Sequence, residues 1–476
     1  CQEKTGVGPT HKLLHAAGAV GGKAVVSMDS RPNIVLMVAD DHGREALGCY
    51  GNPAVRTPHL DRLAAEGVRF AGGFCTTASC AASRSVILTG QHNHATGTYG
   101  HTHGRHHFSC FDTVRTLPAL LRESGYRAGR VGKRHFAPDA LFPFDWGTPD
   151  GFFGRDDVRM AEACRAFVRE PGPFFLYWCS HNPHRAAVLE SHPLRPNTFG
   201  NPAAPFPGDA EQPVSEAEVV VPPFLPDTPE VRAELAQYYQ SIARLDRGVG
   251  RLLQVLRDEG VLDRTIVFYI SDNGAAFPQA KTTCYEPGLR LPCLARSPFH
   301  RARGAVCETL ITWADLAPTL LELAGVRENL PAFHGQSFAR LLDAPEADLG
   351  RDAVFASHTF HEITNYYPMR VVRTPRYKFI WNIAWKLDYS FGSDLWSCAS
   401  WQAARRAGAA RFGARTVEAY LHRPRFELYD LQEDPNELVN LADEPLHRDR
   451  VAAFCERLKA FQEDTRDPWL HKWTYE

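Results

Sequence analysis

The chain has 476 residues and a net charge of −2; 44% of the residues are hydrophobic and 23% are charged. This is the composition of a globular protein with room for one large domain and a smaller one. No apolar run approaches the length of a membrane span, and the near-neutral charge supplies no basic field that would attract nucleic acid. We therefore expect no nucleic-acid partner, and an anionic substrate must be held by local cations.

Residues 1–30 are predicted to be a poorly ordered leader. The chain begins at Cys1, and "CQEK" is typical of a lipoprotein after signal-peptide removal, with the lipid on Cys1. The alternative is a protein whose true start is Met28. The first interpretation predicts an exported or periplasmic protein, lipid-anchored through Cys1, and the second predicts a cytoplasmic one.

Apolar, strand-like runs alternate with helical patterns over residues 31–345, which we assign to one catalytic domain. This alternation indicates a mostly parallel α/β sheet flanked by helices. The predicted elements are, in chain order, the strand "NIVLMVA" (Asn33–Ala39), the helices "TPHLDRLAAEG" and "VRTLPALLRESG", the strands "YRAGRVG" and "PFFLYW" (Pro173–Trp178), a long helix from about Val231 to Asp258, the strand "TIVFYI" (Thr265–Ile270) and the helix "WADLAPTLLELAG".

The pattern changes after residue 345, and residues 346–476 are predicted to form a smaller α+β domain. "YPMRVVRTPRYKFIWNI" alternates as antiparallel strands do. "FELYDLQEDPNELVNLA" is rich in turn formers, and "RDRVAAFCERLKAFQEDT" is an amphipathic closing helix.

Polar side chains follow directly after four of the predicted strands. They are Asp40 and Asp41 after "NIVLMVA", Lys133 and His135 after "YRAGRVG", His181 and His184 after "PFFLYW", and Asp272 and Asn273 after "TIVFYI". Ligands of open α/β sheets bind outside the carboxyl ends of the strands, so neighbouring strands would bring these side chains into one pocket. The three carboxylates would repel one another without a cation. Oxygen-only ligands suit Ca²⁺, or alternatively Mg²⁺, better than zinc.

Cys80 opens the helical pattern "CAASRSVILTG", and Arg84 follows on the same helix face. A helix N-terminus favours an anion, so one interpretation is an activated thiolate. The loop of cysteine phosphatases, however, needs a longer spacing between cysteine and arginine and usually a preceding histidine, whereas Ser79 precedes Cys80 here. A buried thiol, a metal ligand and the precursor of a modified residue are the alternatives.

The segment Cys80–Arg84, followed by "LTG", resembles the signature of type I sulfatases, whose cysteine is oxidised to formylglycine. The resemblance extends from about residue 31 to the end of the chain. It includes "PNIVLMVADD", "TPHLDRLAAEGVRF", "GKRHF", "HNPH", "SDNG" with Lys281 downstream, and "ELYDLQEDPNELVNLA". Ala82 departs from the family pattern, where proline is commoner. The resemblance implies an alkaline-phosphatase-like sulfatase fold and, as a partner, a maturase that generates formylglycine.

The resemblance also implies the metal site. Asp40, Asp41, Asp272, Asn273 and the formylglycine formed from Cys80 would hold one divalent cation. In this family the hydrated aldehyde attacks sulfur, and the cation lowers the pKa of one of its hydroxyls.

The remaining catalytic roles follow from the same resemblance. Arg84 would hold the hydrated aldehyde, and Lys133 and Lys281 would neutralise charge on the transferring sulfuryl group. His181 is expected to be the acid for the leaving atom, and His135 to remove the second diol proton. The alternative for each lysine is a solvated surface charge.

A narrower resemblance is to N-sulfoglucosamine sulfohydrolases, the sulfamidases of heparan sulfate breakdown. It rests on "HHFSCFDTVRTLPALL", "LFPFDW" and especially "HEITNYYPMR", which lie outside the shared sulfatase core. We expect His361, Glu362 and Arg370 to contact the sugar; a salt-bridged domain junction is the alternative. His184 is a further candidate substrate-binding residue, which could instead only orient its loop.

Four histidines cluster in "HTHGRHH", namely His101, His103, His106 and His107. Such a cluster suggests a second metal site. A pocket wall or surface loop is the interpretation we favour from the sequence.

The expected function is removal of N-linked sulfate from terminal glucosamine residues of heparan sulfate or heparin-type saccharides, with a sulfated glucosamine saccharide as substrate. The alternative is an O-sulfatase acting on sulfated saccharides or aryl sulfates. A phosphohydrolase of the same superfamily would use serine or threonine with zinc, which Cys80 argues against. A non-catalytic sulfated-glycan-binding protein would need no nucleophile beside its metal ligands. The sequence also allows a homodimer.

Overall fold

The computed structural model describes residues 31–185, 198–202, 205–207 and 213–475, and the predictions for residues 1–30, including Cys1 and Met28, lie outside them. The strands, in chain order, are β1 (Asn33–Ala39), β2 (Val68–Phe70), β3 (Gly73–Phe74), β4 (Arg127–Gly132), β5 (Trp146–Gly147), β6 (Phe174–Cys179), β7 (Thr265–Ser271), β8 (Cys293–Arg296), β9 (Ala305–Cys307), β10 (Ile311–Thr312), β11 (Val354–His358), β12 (Met369–Arg373), β13 (Tyr377–Asn382), β14 (Arg411–Phe412), β15 (Arg415–Thr416) and β16 (Phe426–Asp430). The helices are α1 (Pro58–Ala65), α2 (Cys80–Thr89), α3 (Asn93–Thr96), α4 (Leu117–Glu123), α5 (Asp157–Ala163), α6 (Arg165–Arg169), α7 (Pro229–Asp258), α8 (Glu286–Leu289), α9 (Leu316–Leu323), α10 (Ser393–Trp396), α11 (Ala399–Arg406), α12 (Val417–Leu421), α13 (Arg448–Asp464) and α14 (Lys472–Tyr475).

The larger sheet has eight strands in the order β5-β4-β6-β1-β7-β8-β2-β9. Five of its seven strand pairs are parallel, and β8 is antiparallel to both of its neighbours. The prediction of a large, mostly parallel sheet flanked by helices is confirmed. The predicted strands and helices of residues 31–345 all occur, each within a few residues of its predicted bounds.

Both faces of the central strand β1 are buried. Ile34 belongs to a core that includes Val86 of α2, whereas the next residue, Val35, belongs to a second core that includes Leu252 of α7. Successive side chains of a strand point to opposite faces, so helices on both sides require apolar residues at every position. This explains why "NIVLMVA" is a continuous apolar run and not an alternating one.

The C-terminal sheet is antiparallel, in the order β11-β12-β13-β16. The antiparallel strands predicted in "YPMRVVRTPRYKFIWNI" are β12 and β13, and α13 packs on this sheet through Phe454 and Leu458. The first five residues of the segment predicted to be turn-rich instead form β16, because they complete the sheet beside β13. This sheet begins at Val354, a few residues after the predicted boundary at 345.

All eleven cysteines of the described part are unpaired thiols, nine of them buried. Among the described helices, none combines the length and the hydrophobicity needed to cross a membrane.

Candidate active site

The four strands with polar ends are neighbours in the order β4-β6-β1-β7. All three neighbouring pairs are parallel, so the four carboxyl ends lie at the same edge of the sheet. Asp40, Asp272, Lys133 and His181 follow these ends directly or within two residues. The convergence predicted from the sequence is therefore present.

Cys80 is the first residue of α2, and Ser79 precedes it in an extended conformation (φ −146°, ψ 127°). The helix ends at Thr89 and is capped by Gly90, whose φ of 69° lies in the left-handed region that glycine adopts at low cost. The Cys80 Sγ atom lies 3.8 Å from Asp41 Oδ1. Burial raises the pKa of the Cys80 thiol well above its usual value, despite the nearby charges of Lys133 and Lys281. An activated thiolate is therefore not what this environment favours.

The acidic residues form one connected cluster at the ends of β1 and β7. The Asp41 backbone N–H donates to Asp272 Oδ1 at 3.1 Å, and the Asn273 side-chain amide donates to Asp41 Oδ1 at 2.7 Å. Asp41 itself has a φ of 63°, a strained conformation for a residue other than glycine. Strain of this kind is concentrated at functional sites, where surrounding contacts enforce it.

The cluster fits a bound divalent cation. Oδ1 of Asp40 and Oδ1 of Asn273 are buried and accept no hydrogen bond from the described residues. One ligand atom from each of Asp40, Asp41, Cys80 and His184 lies within 4.8 Å of the others. Buried oxygens without a donor are costly, and a cation would satisfy them.

Three cations surround the three carboxylates. Arg84 Nε donates to Asp272 Oδ2 at 2.9 Å, Lys133 pairs with Asp40, and Lys281 Nζ lies 2.9 Å from Asp41 Oδ2. A further carboxylate, Asp394 Oδ2, lies 2.9 Å from Lys281 on its other side. The three basic residues predicted for this site are therefore ion-paired and not solvated.

The carboxyl groups respond differently to this environment. Burial tends to raise the pKa of Asp40, but the charges of Lys133, His184 and Arg84 hold it well below the usual value. Burial raises the pKa of Asp41, and it raises the pKa of Asp272 to about 7 against the opposing charge of Arg84. Two of the three carboxyl groups thus need more positive charge nearby to ionise fully, which a divalent cation would supply.

A cavity of about 900 Å³ opens above this cluster. Its wall contains residues of both domains, among them Asp40, Lys133, His135, His181, His184, Asp150, His361, Glu362, Asp394 and Trp396. A cavity of this size accommodates a small saccharide unit.

The pocket histidines have different partners. His181 Nε2 lies 3.3 Å from Asp150 Oδ1, and His184 Nε2 lies 3.4 Å from Lys281 Nζ. His135 Nε2 lies 3.0 Å from His103 Nδ1. Burial, with Lys133 adding to the effect, lowers the pKa of His135 well below its usual value. His135 is therefore neutral at pH 7 and able to accept a proton.

Two of the three residues expected to contact the sugar line the cavity. Ser79 Oγ and His361 Nδ1 are 3.0 Å apart, which places His361 beside the start of α2. Glu362 accepts a hydrogen bond from the Ser393 backbone N–H at 3.2 Å at the rim. Both remain candidates for substrate binding.

The prediction that Arg370 contacts the sugar is wrong. Its side chain has no exposed surface, and it forms a two-pronged ion pair with Asp467, at 2.8 Å for Nη2 and Oδ1. Its strand, β12, lies inside the C-terminal sheet, and the residue does not line the cavity. We therefore withdraw Arg370 from the substrate-binding set in favour of the salt-bridged alternative.

Asp394, Asp150 and Trp396 are pocket residues that the sequence analysis missed. Asp394 and Trp396 belong to the four-residue helix α10, and Asp150 lies in a turn. No strand end, helix cap or recurring motif marks these positions. Only the folding of the C-terminal domain over the sheet edge brings Asp394 beside Lys281.

The chain belongs to the sulfatase family, because the model of that family, described as "Sulfatase", matches residues 32–326, more than half of the chain. A second family model, described as "N-sulphoglucosamine sulphohydrolase, C-terminal", matches residues 279–390. The resemblance predicted from the sequence is confirmed. Membership of this family implies a metal ion and formylglycine at the site.

Two relatives align with nearly the whole chain. Human N-sulphoglucosamine sulphohydrolase (Homo sapiens) is 37% identical over 462 residues, which cover 93% of this chain and 92% of that protein. An ulvan-active sulfatase of Formosa agariphila is 28% identical over 426 residues, covering 88% and 77%. A solved structure of a protein in complex with its substrate D-glucosamine-2-N,6-O-disulfate superposes with a TM-score of 0.65 at 21% identity, covering 92% of this chain and 99% of that one. This last likeness establishes the fold.

Proposed function

We propose that the protein is a sulfamidase that hydrolyses the N-linked sulfate of terminal glucosamine residues in heparan sulfate or heparin-type saccharides. One observation carries the proposal. The segment that matches the sulphoglucosamine sulphohydrolase C-terminal family contains His361 and Glu362, and these two residues line the same cavity as Asp40 and Lys133. The similarity to a sulfamidase thus extends to the residues that would meet the sugar.

We propose Ca²⁺ as the cation, held by Asp40, Asp41, Asp272 and Asn273 with the residue formed at Cys80. The four first-named side chains offer oxygen atoms, which this hard cation prefers. A bound cation would supply charge stabilisation to a sulfate oxygen. Formylglycine made from Cys80 by a maturase would supply the nucleophile.

The cations of this chain bind and orient the sulfuryl group. Lys133 and Lys281 are held by Asp40, Asp41 and Asp394, so their ammonium groups are in place before the substrate arrives. Preorganised charges of this kind stabilise a developing anion without reorganisation. Arg84, fixed by Asp272 on the same face of α2 as Cys80, orients the nucleophile.

Two histidines handle protons. Burial tends to raise the pKa of Asp150, but the hydrogen bond and charge of His181 bring it down to about 2. Asp150 is therefore ionised at neutral pH, and its Oδ1 atom lies 3.3 Å from Nε2 of His181, the residue that would donate a proton to the leaving nitrogen. His135 is kept neutral by burial and by Lys133, and would accept the proton that is released when sulfate departs.

The test compares two substrates on matured protein. Mass spectrometry of the tryptic peptide Phe70–Arg84 first establishes that Cys80 has become formylglycine. Sulfate release from N-sulfoglucosamine and from N-acetylglucosamine-6-sulfate is then measured by ion chromatography. We expect kcat/KM to be at least about tenfold higher for the N-sulfated sugar, a difference of about 1.4 kcal/mol in transition-state binding.

The control is Cys80→Ala, which should fold and lose roughly a thousandfold or more in kcat, as loss of a catalytic nucleophile does elsewhere. Faster release from the 6-O-sulfate would establish the O-sulfatase alternative. No release from either sugar by formylglycine-containing protein would favour a sulfated-glycan-binding protein.

A site within a pocket also predicts action at a chain end. Release of sulfate from internal residues of a long chain would contradict it. A homodimer and export of the chain stay predictions, for sedimentation and cell fractionation to test.

A further inference from the structure

Three imidazoles meet in the wall of the cavity above the carboxylate cluster. One ring nitrogen from each of His101, His103 and His135 lies within 4.8 Å of those of the other two. The ring centroids of all three pairs are 4.9 Å apart. Only His135 has a role in the proposed hydrolysis, so the convergence of the other two on it is unexplained by that function.

The nitrogens of this group are short of partners. Nδ1 of His101 and Nδ1 of His135 are buried and make no hydrogen bond with any described residue. The contact that the group does make is internal, 3.0 Å between His103 Nδ1 and His135 Nε2. A tetrahedral zinc site with Zn–N bonds of about 2.0–2.1 Å needs ligand nitrogens roughly 3.3 Å apart. The pair His103–His135 is thus near the required spacing.

The protonation state of the three histidines favours metal binding. Burial lowers the pKa of His101 and of His135 well below the usual value, and it also lowers the pKa of His103. All three rings are neutral at pH 7 and present lone pairs, as metal ligands must. Asp150 and Glu362 act on His103 with negative charge, against the positive charge of Lys133.

We propose that His101, His103 and His135 form a second metal site, specific for a borderline transition-metal ion such as Zn²⁺ and separate from the carboxylate site. Imidazole nitrogens select zinc, whereas oxygen clusters select calcium or magnesium. Three protein ligands leave a fourth position open toward the cavity. The preference for a pocket wall, drawn from "HTHGRHH" alone, is revised because the fold brings His135, 32 residues after His103 and outside that motif, to the cluster as the third ligand.

Metal binding at this site has a consequence that rests on the proposed function. The ion takes the lone pair of His135, and each ring keeps its single proton on the nitrogen that faces away from the metal. His135 can then no longer accept a proton. Zinc is therefore expected to inhibit hydrolysis while the carboxylate site still holds its own cation.

The first measurement is zinc binding by the full-length protein. Bound zinc is quantified by metal analysis after equilibrium dialysis in excess Ca²⁺. The test variant is His103→Ala and the matched control is His107→Ala, since both histidines are exposed on the same loop. We expect one equivalent of Zn²⁺ to be lost in His103→Ala and retained in His107→Ala. Co²⁺ bound at the same site should give the visible absorption of a four- or five-coordinate nitrogen site in wild type and not in His103→Ala.

Equal zinc binding by all three proteins, or equal loss in both variants, would overturn the site. Circular dichroism establishes that the variants are folded, and His101→Gln provides a second variant that should also lose the equivalent. Binding needs no turnover, so it can be scored even if the sulfamidase proposal fails. Stoichiometric zinc binding that leaves hydrolysis unchanged would overturn the inhibition and, with it, the role given to His135.

Discussion

Lys281 carries its charge with no exposed surface, between two carboxylates that come from different domains. Its Nζ atom lies 2.9 Å from Asp41 at the end of β1 and 2.9 Å from Asp394 in α10. An unpaired buried ammonium would lose its proton or cost several kcal/mol. Here, although burial opposes it, the charges of Asp394 and Asp41 raise the pKa of Lys281 well above its usual value. The same residue therefore serves the sulfuryl site and holds the two domains together.

Replacing Lys281 with methionine tests both roles. The substitution keeps most of the length of the side chain and leaves two buried carboxylates without their cation. We expect kcat/KM to fall by at least about a hundredfold, as loss of one preorganised donor does. The free energy of unfolding, measured by urea denaturation, should fall by about 3–5 kcal/mol.

The control for Lys281→Met is Lys386→Met, because Lys386 is exposed. Its stability should remain within about 0.5 kcal/mol of wild type and its activity unchanged. Wild-type kcat/KM in Lys281→Met would remove Lys281 from the site.

At the scale of elements, the ion pair between Arg370 and Asp467 joins β12 to the segment after α13. Neither side chain has exposed surface, and Asp467 also accepts from Gln462 Nε2 at 2.9 Å and from the Trp469 backbone N–H at 3.0 Å. Burial opposes ionisation, but the charge of Arg370 holds the pKa of Asp467 well below its usual value. The pair thus fixes the C-terminal turn against the sheet.

A double-mutant cycle separates this structural role from sugar binding. Arg370→Leu alone leaves a buried carboxylate and should cost about 3–5 kcal/mol of stability. Adding Asp467→Leu should restore part of it, giving a coupling energy of about 0.5–3 kcal/mol. KM of the folded single variant should stay within twofold of wild type, and a large rise in KM would reinstate Arg370 as a sugar ligand.

The matched surface pair is Arg457 with Asp352, which joins α13 to the turn before β11 across an exposed boundary. Arg457→Leu should cost no more than about 1 kcal/mol, because solvent screens an exposed pair. Equal losses of stability in Arg370→Leu and Arg457→Leu would show that burial does not determine how much each ion pair contributes.

The elements also show what a sequence can predict here. Strand ends could be located because apolar runs give both the strands and the residues that follow them. Parallel neighbours then bring Asp40, Lys133 and Asp272 together without further information. Asp394 could not be located, since α10 has four residues and its place depends on how a second sheet packs. Arg370 was wrongly assigned to the sugar site because the sequence alone does not distinguish an arginine buried in an ion pair from one that binds substrate.

At the scale of the whole molecule, stability depends on pH through two opposed sets of buried groups. Burial lowers the pKa of His42 to about 4 and that of His358 to about 3. Burial also raises the pKa of Glu45 and of Asp246 to about 7. The histidines contribute stability that is fully present above their unfolded pKa of about 6.5 and is lost as the pH falls toward the folded pKa. The carboxyl groups act in the opposite sense, so the net slope of wild type does not isolate either set.

His358 offers a way to isolate one of them. It ends β11 without exposed surface, and neither of its ring nitrogens has a hydrogen-bond partner among the described residues. In His358→Leu the titrating group is removed without loss of a hydrogen bond. As the pH falls from 6.5 to 4.5, we expect the free energy of unfolding of the variant, relative to that of wild type, to increase by up to about 1.4 kcal/mol for each pH unit.

The measurement is the free energy of unfolding by urea at half-unit pH intervals from 7.5 to 4.5. The ion-paired aspartates do not contribute within this window, because a carboxyl group with a depressed folded pKa loses its stabilising effect only below its unfolded pKa of about 3.9. His471→Gln is the control, since His471 is exposed, and its pH profile should match that of wild type. A difference between His358→Leu and wild type that stays constant with pH would mean that water reaches His358 and protonates it in the folded protein.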